Sequence, residues 1–362
     1  MNLYDRIEGF AEYSRAFQNH DGSMPPGHNG PYHDPETPVR NTAHWLFTFS
    51  NLYERTGEQK WAKAANKAAD YLCSSEARPM GASFWVRKKP EKDFCNGLIG
   101  QAWAMEGLIK AAEVLEREDC YKTAEEVLML HPFDEEFSIW QRVNVDGSYA
   151  SYDSTFNHQL WFAAIASQLS HTQIARERAS QFLENVGAGV DLYKDGVLVH
   201  NSLVNPHKAS RIFSPYSIVK RVYNTYNYKK RKKLLYLKSI GYHAFNLYAF
   251  ALLKSQFSDH VFFSSLKMKK MLSVLGSETF ITSMDKSPYG YWYNPPGIEI
   301  VFSLEVLGGS YDLAQRWLEL QVSKTFNKET GSLISKGSPD PITADARIYE
   351  ALRIKNKYAV NI

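Results

Sequence analysis

Cysteine is scarce in this chain, and the motifs that hold a metal or a phosphate are lacking. The three cysteines, Cys73, Cys95 and Cys120, are too few and too widely spaced for a disulfide framework or a paired-cysteine metal site. The segment 20–34 contains three histidines and two aspartates, but their spacing matches no zinc pattern. No glycine-rich phosphate loop or nucleophile elbow is present. We therefore expect no metal and no other cofactor.

Long apolar runs are also lacking. No segment approaches the roughly 18 apolar residues that a transmembrane helix requires. The opening residues, MNLYDRIEGF, carry acids where a secretory signal peptide would carry basic and then apolar residues. These two features predict a soluble, cytoplasmic protein.

Charge of one sign does not dominate the chain. The 42 basic and 39 acidic residues leave a formal net charge of +3, which argues against a dedicated nucleic-acid-binding protein. The one charge run, 229–233, lies within the tyrosine-rich stretch 220–238. We interpret it as a solvated outer helix face, with peripheral contact to an anionic surface or docking of an acidic polymer as alternatives.

The chain is rich in one kind of segment, a helix opening that recurs six times. Each opening has polar groups, then an aromatic residue, and then continues apolar on nearly all sides, which is typical of a buried helix. Amphipathic stretches follow most of them, as expected for helices that cover the buried ones. The openings are 41–57, 96–115, 156–169, 243–257, 297–309 and 343–355.

These repeats predict an all-α (α/α)6 toroid of six helical hairpins in a single domain over residues 1–362. Length alone would suggest about two domains, but a repeat that runs from end to end takes precedence over a domain count. The last predicted pair closes the ring through both ends of the chain. The predicted pairs are 41–56 with 59–74, 97–116 with 120–130, 156–170 with 173–186, 239–257 with 260–275, 297–308 with 310–322, and 343–355 with 3–18.

Long aromatic loops connect the predicted pairs. They precede inner helices, so we expect them to crowd one rim of the toroid, some as short β-hairpins such as the Asp195–Gly196 turn. Long loops in a compact domain are usually functional. Flat aromatic faces beside polar groups suit sugar rings, so the predicted partner is an oligosaccharide or polysaccharide, although packing of the loops onto the barrel is the alternative for any single ring. The oligomeric state does not follow from the sequence.

The segment 148–164, SYASYDSTFNHQLWFAA, carries the main catalytic candidates. Asp153 precedes an inner helix, and a carboxylate held among aromatic residues could have a raised pKa and act as a general acid. The alternative is that Asp153 is a helix N-cap. His158 is a second catalytic candidate, and Tyr152, Asn157 and Trp161 are predicted to contact substrate.

Ordinary glycoside hydrolysis needs a second carboxylate. Glu299 and Asp345 are the leading candidates because each lies near the start of an inner helix. Arg40 and Arg347 could clamp a sugar carboxylate through two parallel hydrogen bonds. For each candidate, capping or core packing is the structural alternative. The other predicted substrate contacts are His44, Trp45, Trp85, Asn96, Gln101, Trp103, Tyr291 and Tyr293.

The helix-pair pattern, especially RNTAHWLFTFSNLYE followed by TGEQKWAKAANKAADYL, resembles the six-hairpin glycosidase-like superfamily. Within it, YDSTFNHQLWFAA is similar to the unsaturated glucuronyl and rhamnogalacturonyl hydrolases. The resemblance implies that Asp153 protonates the double bond of an unsaturated uronic acid and then activates water. Asn96 stands where that family has a second aspartate, with Asp93 nearby but out of register, so the chain departs from the family pattern there.

Three functions follow as hypotheses. The first is a glycoside hydrolase that acts on oligosaccharides or polysaccharides containing uronic acid, with Asp153 as general acid and base. The second is a polysaccharide lyase or a sugar 2- or C5-epimerase that moves a proton with Tyr or His side chains. The third is a non-catalytic glycan-binding protein of polysaccharide assembly, with which the missing acid at Asn96 is compatible.

Overall fold

The computed structural model of the chain describes residues 3–200 and 215–360, and the side chains of 187–188 and 215–231 lie outside that description. The helices of the described part are α1 (Leu3–Arg15), α2 (Val39–Thr56), α3 (Gln59–Cys73), α4 (Gly97–Leu115), α5 (Glu118–Leu130), α6 (Phe156–Ala166), α7 (Gln173–Gly189), α8 (Pro215–Gln256), α9 (Leu266–Ser273), α10 (Glu278–Met284), α11 (Pro296–Leu307), α12 (Tyr311–Thr325) and α13 (Pro341–Ala346). Short 3-10 helices cover Gly30–Tyr32, Val261–Ser264, Val274–Gly276 and Arg347–Arg353. The strands are β1 (Phe133–Asp134), β2 (Ile139–Val143) and β3 (Tyr149–Tyr152).

An inner ring of helices closes on itself. Helix α2 packs on α4, α4 on α6, α6 on α8, α8 on α11, and α11 on the 3-10 helix 347–353, which returns to α2. The inner helices α4, α6 and α11 are buried over nearly their whole length because their residues are apolar on every side. The predicted (α/α)6 toroid is therefore confirmed.

The outer helices are apolar on one face only. Helix α3 buries its alanine-rich stripe and Trp61, and packs against α2. Gly57 ends α2 in the left-handed conformation, with φ of 71°, where a glycine avoids the Cβ clash. Ser310 caps α12 by accepting a hydrogen bond from the backbone N–H of Leu313.

A small antiparallel sheet lies at the rim, in the order β1-β2-β3. Phe133 pairs with Trp140, and Gln141 pairs with Tyr152. Strand β3 ends directly before Asp153, and α6 begins three residues after Asp153. The turn predicted at Asp195–Gly196 gives a single bridge between Leu192 and Leu198 rather than a hairpin of two full strands.

Three predicted boundaries differ from the structure. Helix α8 begins at Pro215 rather than near 239, and it includes the basic run 229–233. Lys232 and Lys233 are exposed on it, while the other side chains of the run, 229–231, lie outside the described residues. The segment predicted as one helix over 260–275 is broken into 3-10 turns on either side of α9, and the closing inner segment is α13 followed by a 3-10 helix.

The cysteines are less scattered than their spacing in sequence suggests. Cys73 Sγ and Cys120 Sγ lie 3.9 Å apart where α3 faces α5, and Asp119 is close enough to complete a group of potential metal ligands. This cluster lies in the outer layer and contributes nothing to the cavity described below. In the described part of the chain, no helix is long and apolar enough to cross a membrane.

Candidate functional site

A cavity of about 350 Å³ opens at the end of the ring where the inner helices begin. Its charged lining is mostly basic, with one carboxylate, Asp34, among five Lys and Arg side chains. The residues that line it are Asn29, Tyr32, Asp34, Arg40, Arg87, Lys92, Asn96, Ile99, Trp103, Ser154, Thr155, Asn157, His158, His200, Lys238, Tyr242, Phe245, Tyr293, Asn294 and Arg347. The chemistry of this cavity therefore favours an anionic ligand.

Asp153 and His158 form a hydrogen-bonded pair beside the cavity. The carboxylate is buried and accepts a hydrogen bond from His158 Nδ1 at 2.8 Å. It also accepts from the backbone N–H groups of Leu98 at 3.1 Å and Thr155 at 3.1 Å. Burial alone would raise the pKa of Asp153, but the His158 charge and these hydrogen bonds outweigh it and hold the pKa well below its usual range. The sequence predicts a raised pKa for Asp153 as a general acid, whereas in the structure its pKa is lowered.

This geometry gives the two residues different roles. Asp153 is not among the cavity-lining residues, whereas His158 is. Because Nδ1 is engaged by Asp153, Nε2 is the ring nitrogen of His158 that remains available to a ligand. The arrangement is that of a proton-transferring imidazole held in place by a buried carboxylate.

A left-handed turn at Asn96 and Gly97 opens α4 beneath this pair. Their φ angles are 56° and 59°, and the Gly97 N–H donates to Asp93 Oδ1 at 2.8 Å. The turn directs Asn96 into the cavity, where its Oδ1 accepts from Arg87 Nη1 at 2.9 Å. Asn96 thus presents an amide to the cavity where a carboxylate was the family pattern. Asp93 instead accepts from the N–H at the start of α4 and pairs with Arg87 and Arg142.

A second histidine borders the same cavity. The ring of His200 lies 4.4 Å from that of Tyr242, and its Nδ1 is buried with no hydrogen-bond partner among the described residues. Burial, Lys238 and His158 together hold the pKa of His200 well below its ordinary value. His200 is therefore neutral near pH 7.

Arg347 forms the floor of the cavity with two buried carboxylates. Its Nη2 donates to Glu299 Oε1 at 2.5 Å and to Glu350 Oε1 at 2.7 Å, and its Nη1 donates to Asn294 Oδ1 at 2.5 Å. Burial raises the pKa of Glu299 against the opposing effect of the Arg347 charge. Glu299 is therefore a partner of Arg347 and does not line the cavity, in contrast to its predicted place as a second catalytic carboxylate.

Arg40 forms the adjacent part of the floor. Its Nη1 donates to Asn29 Oδ1 at 3.1 Å and to Glu36 Oε1 at 3.2 Å. The guanidinium lies 3.9 Å from the centre of the Trp103 ring, and Tyr293 donates its hydroxyl to Asn29 Oδ1 at 2.8 Å. Two predicted sugar contacts, Trp103 and Tyr293, thus meet Arg40 in one place.

The structure brings seven of the predicted site residues together and places the others elsewhere. The seven that line the cavity are Arg40, Asn96, Trp103, Asn157, His158, Tyr293 and Arg347. Five of the others are fully buried in packing contacts outside the cavity lining because their apolar or amide groups serve the helix interfaces. These are His44 on Tyr349, Trp45 on Phe49, Gln101 on the Phe84 backbone, Trp161 on Phe245 and Tyr291 on Trp317.

Three further candidates lie in the rim loops and helix starts, away from the cavity. Tyr152 donates its hydroxyl to Asp134 at 3.0 Å across the small sheet. Trp85 donates its indole N–H to the Arg87 carbonyl at 2.9 Å. Asp345 faces Ser332 and Ser335, and burial raises its pKa to about 6. None of the three lines the cavity.

Several lining residues were missed by sequence reasoning. Asn29, Tyr32 and Asp34 line the cavity. They belong to the histidine-containing segment 20–34, for which metal binding was the only role considered. Lys238 follows the basic run, and Arg87 and Lys92 lie in a loop noted only for its aromatic residues. The one sequence signal for them is position, because all lie just before or at the start of a predicted inner helix.

The chain is 39% identical to archaeal glycosylation protein Q of Haloferax volcanii over 376 aligned positions, which cover 98% of this chain and 97% of that protein. It belongs to the family of archaeal glycosylation protein Q. No protein-family model matches the chain.

Several solved structures with a similar fold are carbohydrate-active enzymes. Cellobiose 2-epimerase of Bacillus thermoamylovorans superposes with a TM-score of 0.63 at 12% identity, covering 96% of this chain and 98% of that one. D-mannose isomerase gives 0.61 at 12% identity, with 97% of each chain covered. An α-1,6-mannanase of Salegentibacter sp. HEL1_6, solved with α-1,6-mannotriose, gives 0.55 at 10% identity, with 96% and 98% covered.

At these identities the likeness establishes the fold alone, and that fold is the one that the six-hairpin glycosidase-like resemblance implies. These solved proteins carry out different reactions. Because they include epimerases, an isomerase and a hydrolase, the shared fold leaves the reaction to be argued from the site.

Proposed function

We propose that the protein is an epimerase that acts on an acidic sugar of a glycan. In this proposal a proton is moved at the ring carbon next to the sugar carboxylate. The observation that carries the proposal is the Asp153–His158 pair at the edge of a cation-rich cavity. The name of the related glycosylation protein supports a glycan as the source of the sugar.

The carboxylates near the cavity favour proton transfer over hydrolysis. A two-carboxylate glycosidase needs an acid and a second carboxylate that both face the substrate. Here Asp34 accepts from Lys92 at 2.6 Å, Asp153 accepts from His158, and Glu299 accepts from Arg347. Each of these carboxylates is engaged by a cation or imidazole of the protein, so the imidazoles are the groups better placed to exchange protons with a ligand.

The two histidines differ in electrostatic surroundings, which suggests an assignment of acid and base. His200 is neutral beside Lys238 and serves as the base that removes the proton from the sugar carbon. The electron pair of the broken C–H bond moves onto the sugar carboxylate, where Arg40, whose Nε has no partner among the described residues, stabilises the developing charge. His158, whose Nδ1 donates to Asp153, returns a proton to the carbon from the other face through Nε2.

Unpaired polar atoms at the cavity suit sugar hydroxyls. Asn157 Oδ1, Arg40 Nε and His200 Nδ1 are buried and have no hydrogen-bond partner among the described residues. Buried polar groups in native proteins are normally satisfied. A bound sugar would supply the missing donors and acceptors, and Trp103 and Phe245 would contact its apolar face.

Deuterium incorporation from heavy water tests the proposal. We expect the purified protein, incubated in D2O with a panel of uronic acids and their glycosides, to exchange the proton next to the carboxylate, as read by NMR. Asp153→Asn should lower the exchange rate by about 10²- to 10⁴-fold, because it removes the carboxylate that accepts from Nδ1 and orients the His158 ring. His158→Gln should do the same, whereas Asp312→Asn on the outer helix α12 is the matched control and should have no effect.

Other results would contradict the proposal and indicate a different reaction. Release of a reducing sugar without deuterium at carbon would indicate a hydrolase, and a gain in ultraviolet absorbance would indicate a lyase. Tight binding of an acidic sugar with no turnover would indicate a glycan-binding protein.

A further inference from the structure

Lys238 lies at the mouth of the cavity among three tyrosine rings. Its Nζ is 5.3 Å from the centre of the Tyr32 ring, 5.7 Å from that of Tyr242 and 5.3 Å from that of Tyr289. The side chain is half-buried, at the point where α8 passes from exposed residues to its fully buried inner part. The rings offer the ammonium cation–π contacts, but none of them carries a negative charge.

No Asp or Glu side chain pairs with Lys238. Every Asp and Glu of the sequence lies within the part of the chain whose side chains are described, and none of their ion pairs includes this lysine. The stretch 196–258 around Lys238 contains lysines and arginines but no acidic residue. Among the described residues, Lys238 is therefore a cation without a carboxylate partner.

A second ammonium shares the same tyrosine. Lys92 Nζ is 5.6 Å from the centre of the Tyr32 ring, and it donates to Asp34 Oδ2 at 2.6 Å. Asp34 is already the partner of Lys89 at 2.9 Å. Burial and the nearby Lys92 lower the pKa of Lys238, as expected for a partly buried ammonium that has a like charge close to it.

The phenol groups at the same place act as donors. Tyr32 and Tyr242 share a hydrogen bond of 2.7 Å between their hydroxyls, and burial raises the pKa of both phenols. Both hydroxyls therefore stay protonated. Two ammonium groups with protonated hydroxyls beside them make a site for an anionic group with several acceptor oxygens, such as a phosphate.

We propose that Lys238 and Lys92 bind a phosphate group carried by the sugar at the mouth of the cavity, so that the substrate is a phosphate-linked acidic sugar. This rests on the proposed function, in which the sugar carboxylate is bound by Arg40 at the floor of the cavity. Lysine ammonium groups act as point charges toward phosphate, whereas planar arginines suit a carboxylate. The two anionic groups of such a substrate thus match two separate cationic regions of the cavity.

Calorimetric binding measurements test this site without requiring turnover. The probes are glucuronic acid, glucuronic acid 1-phosphate, a nucleoside diphosphate glucuronic acid and a short isoprenyl-phosphate-linked glucuronic acid. We expect at least one phosphate-bearing probe to bind about tenfold more tightly than the free sugar acid or better. The identity of the tightest probe reports the source of the phosphate.

Matched lysine variants assign the gain to the site. Lys238→Gln should abolish the difference between phosphorylated and free sugar, and Lys92→Gln should reduce it. Lys232→Gln, an exposed position on the same helix α8, should leave the difference intact. A phosphate gain that survives Lys238→Gln, or equal affinity of the wild type for all probes, would overturn the proposal.

The binding and exchange experiments separate the two proposals. A phosphate gain that depends on Lys238, without deuterium exchange on any probe, would leave this site standing and remove the epimerase. Deuterium exchange on the free sugar acid, without tighter binding of any phosphate-bearing probe, would leave the epimerase standing and remove the phosphate site.

Discussion

At the scale of single residues, Gly97 sets the space in which Asp153 and His158 meet. A Cβ at this position would lie 2.5 Å from Asp153 Oδ2 and 2.8 Å from His158 Nδ1. Its φ of 59° is also one that a side chain disfavours. The hydrogen-bonded pair therefore depends on the absence of a side chain on a neighbouring helix.

Gly97→Ala should damage both stability and the proposed exchange activity. The matched control is Gly57→Ala, because Gly57 has a φ of 71° with no atom within 4 Å of an added Cβ. We expect Gly57→Ala to cost about 1 kcal/mol from backbone strain alone, with activity unchanged. Gly97→Ala should cost more and slow deuterium exchange by roughly tenfold or more, since it displaces the pair. Urea denaturation and the exchange assay measure the two effects, and equal behaviour of the variants would contradict this role.

The sequence predicts the neighbourhood of Asp153 and His158 correctly, but it does not predict which of them carries the proton. Both lie within one short segment, so their proximity follows from local spacing. The pKa of Asp153 depends on the backbone N–H of Leu98, which arrives from a different hairpin. Sequence spacing carries no information about that contact.

At the scale of elements, His243 joins α8 to two neighbouring segments. Its Nδ1 accepts from the backbone N–H of Leu198 at 3.1 Å, and its Nε2 donates to the carbonyl of Met271 in α9 at 2.9 Å. Burial lowers the pKa of His243 to about 4. Protonation would break the bond from Leu198, so these packing contacts require the neutral imidazole.

The contribution of His243 to stability should fade in acid. Its folded pKa of about 4 lies below the unfolded value of 6.5, so between these pH values the unfolded chain binds the extra proton. The stabilising contribution is complete above pH 6.5, and lowering the pH to about 4 removes up to about 3 kcal/mol of it. The stability difference between wild type and His243→Gln should therefore shrink from pH 7 to pH 4 in denaturation experiments.

Phe280→Leu is the control, because Phe280 contacts the His243 ring and does not titrate. Its effect on stability should stay constant over the same pH range. A His243→Gln difference that also stays constant would show that the histidine acts by packing alone.

The ends of a helix can be predicted from the sequence where its apolar residues recur regularly, and the prediction is wrong where they do not. The ends of α2 and α3 match the prediction within two residues, helped by the Gly57 stop. The start of α8 does not, because Lys, Arg and Leu before 239 are good helix formers and nothing there ends a helix. The break in 260–275 reflects a new start at Ser265, whose side chain caps α9.

At the scale of the whole molecule, Arg347 closes the ring. It joins the closing segment to Glu299 of α11 and to Asn294 in the preceding loop, all of them buried. Removing one partner from a buried ion cluster leaves uncompensated charge in the interior. Ring closure and the floor of the cavity thus depend on the same side chain.

Arg347→Met should cost about 3–5 kcal/mol of unfolding free energy, because Glu299 and Glu350 would remain buried without their partner. Arg316→Met removes an exposed ion pair with Glu278, in which the side chains are 46% and 73% exposed, and should change stability by no more than about 1 kcal/mol. Urea denaturation of both variants measures the contrast. Similar small losses would show that the buried cluster does not hold the ring closed.

The toroid can be predicted from the helix repeat, but the cluster of cationic residues that lines its cavity cannot. A net charge of +3 conceals the separation of charge, because Arg40, Arg87, Lys92, Lys238 and Arg347 come from distant parts of the sequence and meet only when the ring closes. The aromatic residues Trp45 and Trp161 illustrate the converse. Both lie close to polar residues in the sequence, as sugar-binding aromatic residues often do. Their positions on α2 and α6 nevertheless place both rings in the core, against Phe49 and Phe245.

The closing segment also determines when the cavity can form during synthesis on the ribosome. Tyr4 of α1 donates its hydroxyl to the carbonyl of Ile354, and the 3-10 helix 347–353 contacts both α2 and α11. Until residue 353 has left the exit tunnel, the nascent chain carries an open arc whose apolar inner helices lack their last neighbour. We therefore expect ribosome-bound chains that stop short of Arg347 to be strong chaperone clients, because they expose surface that the finished ring buries.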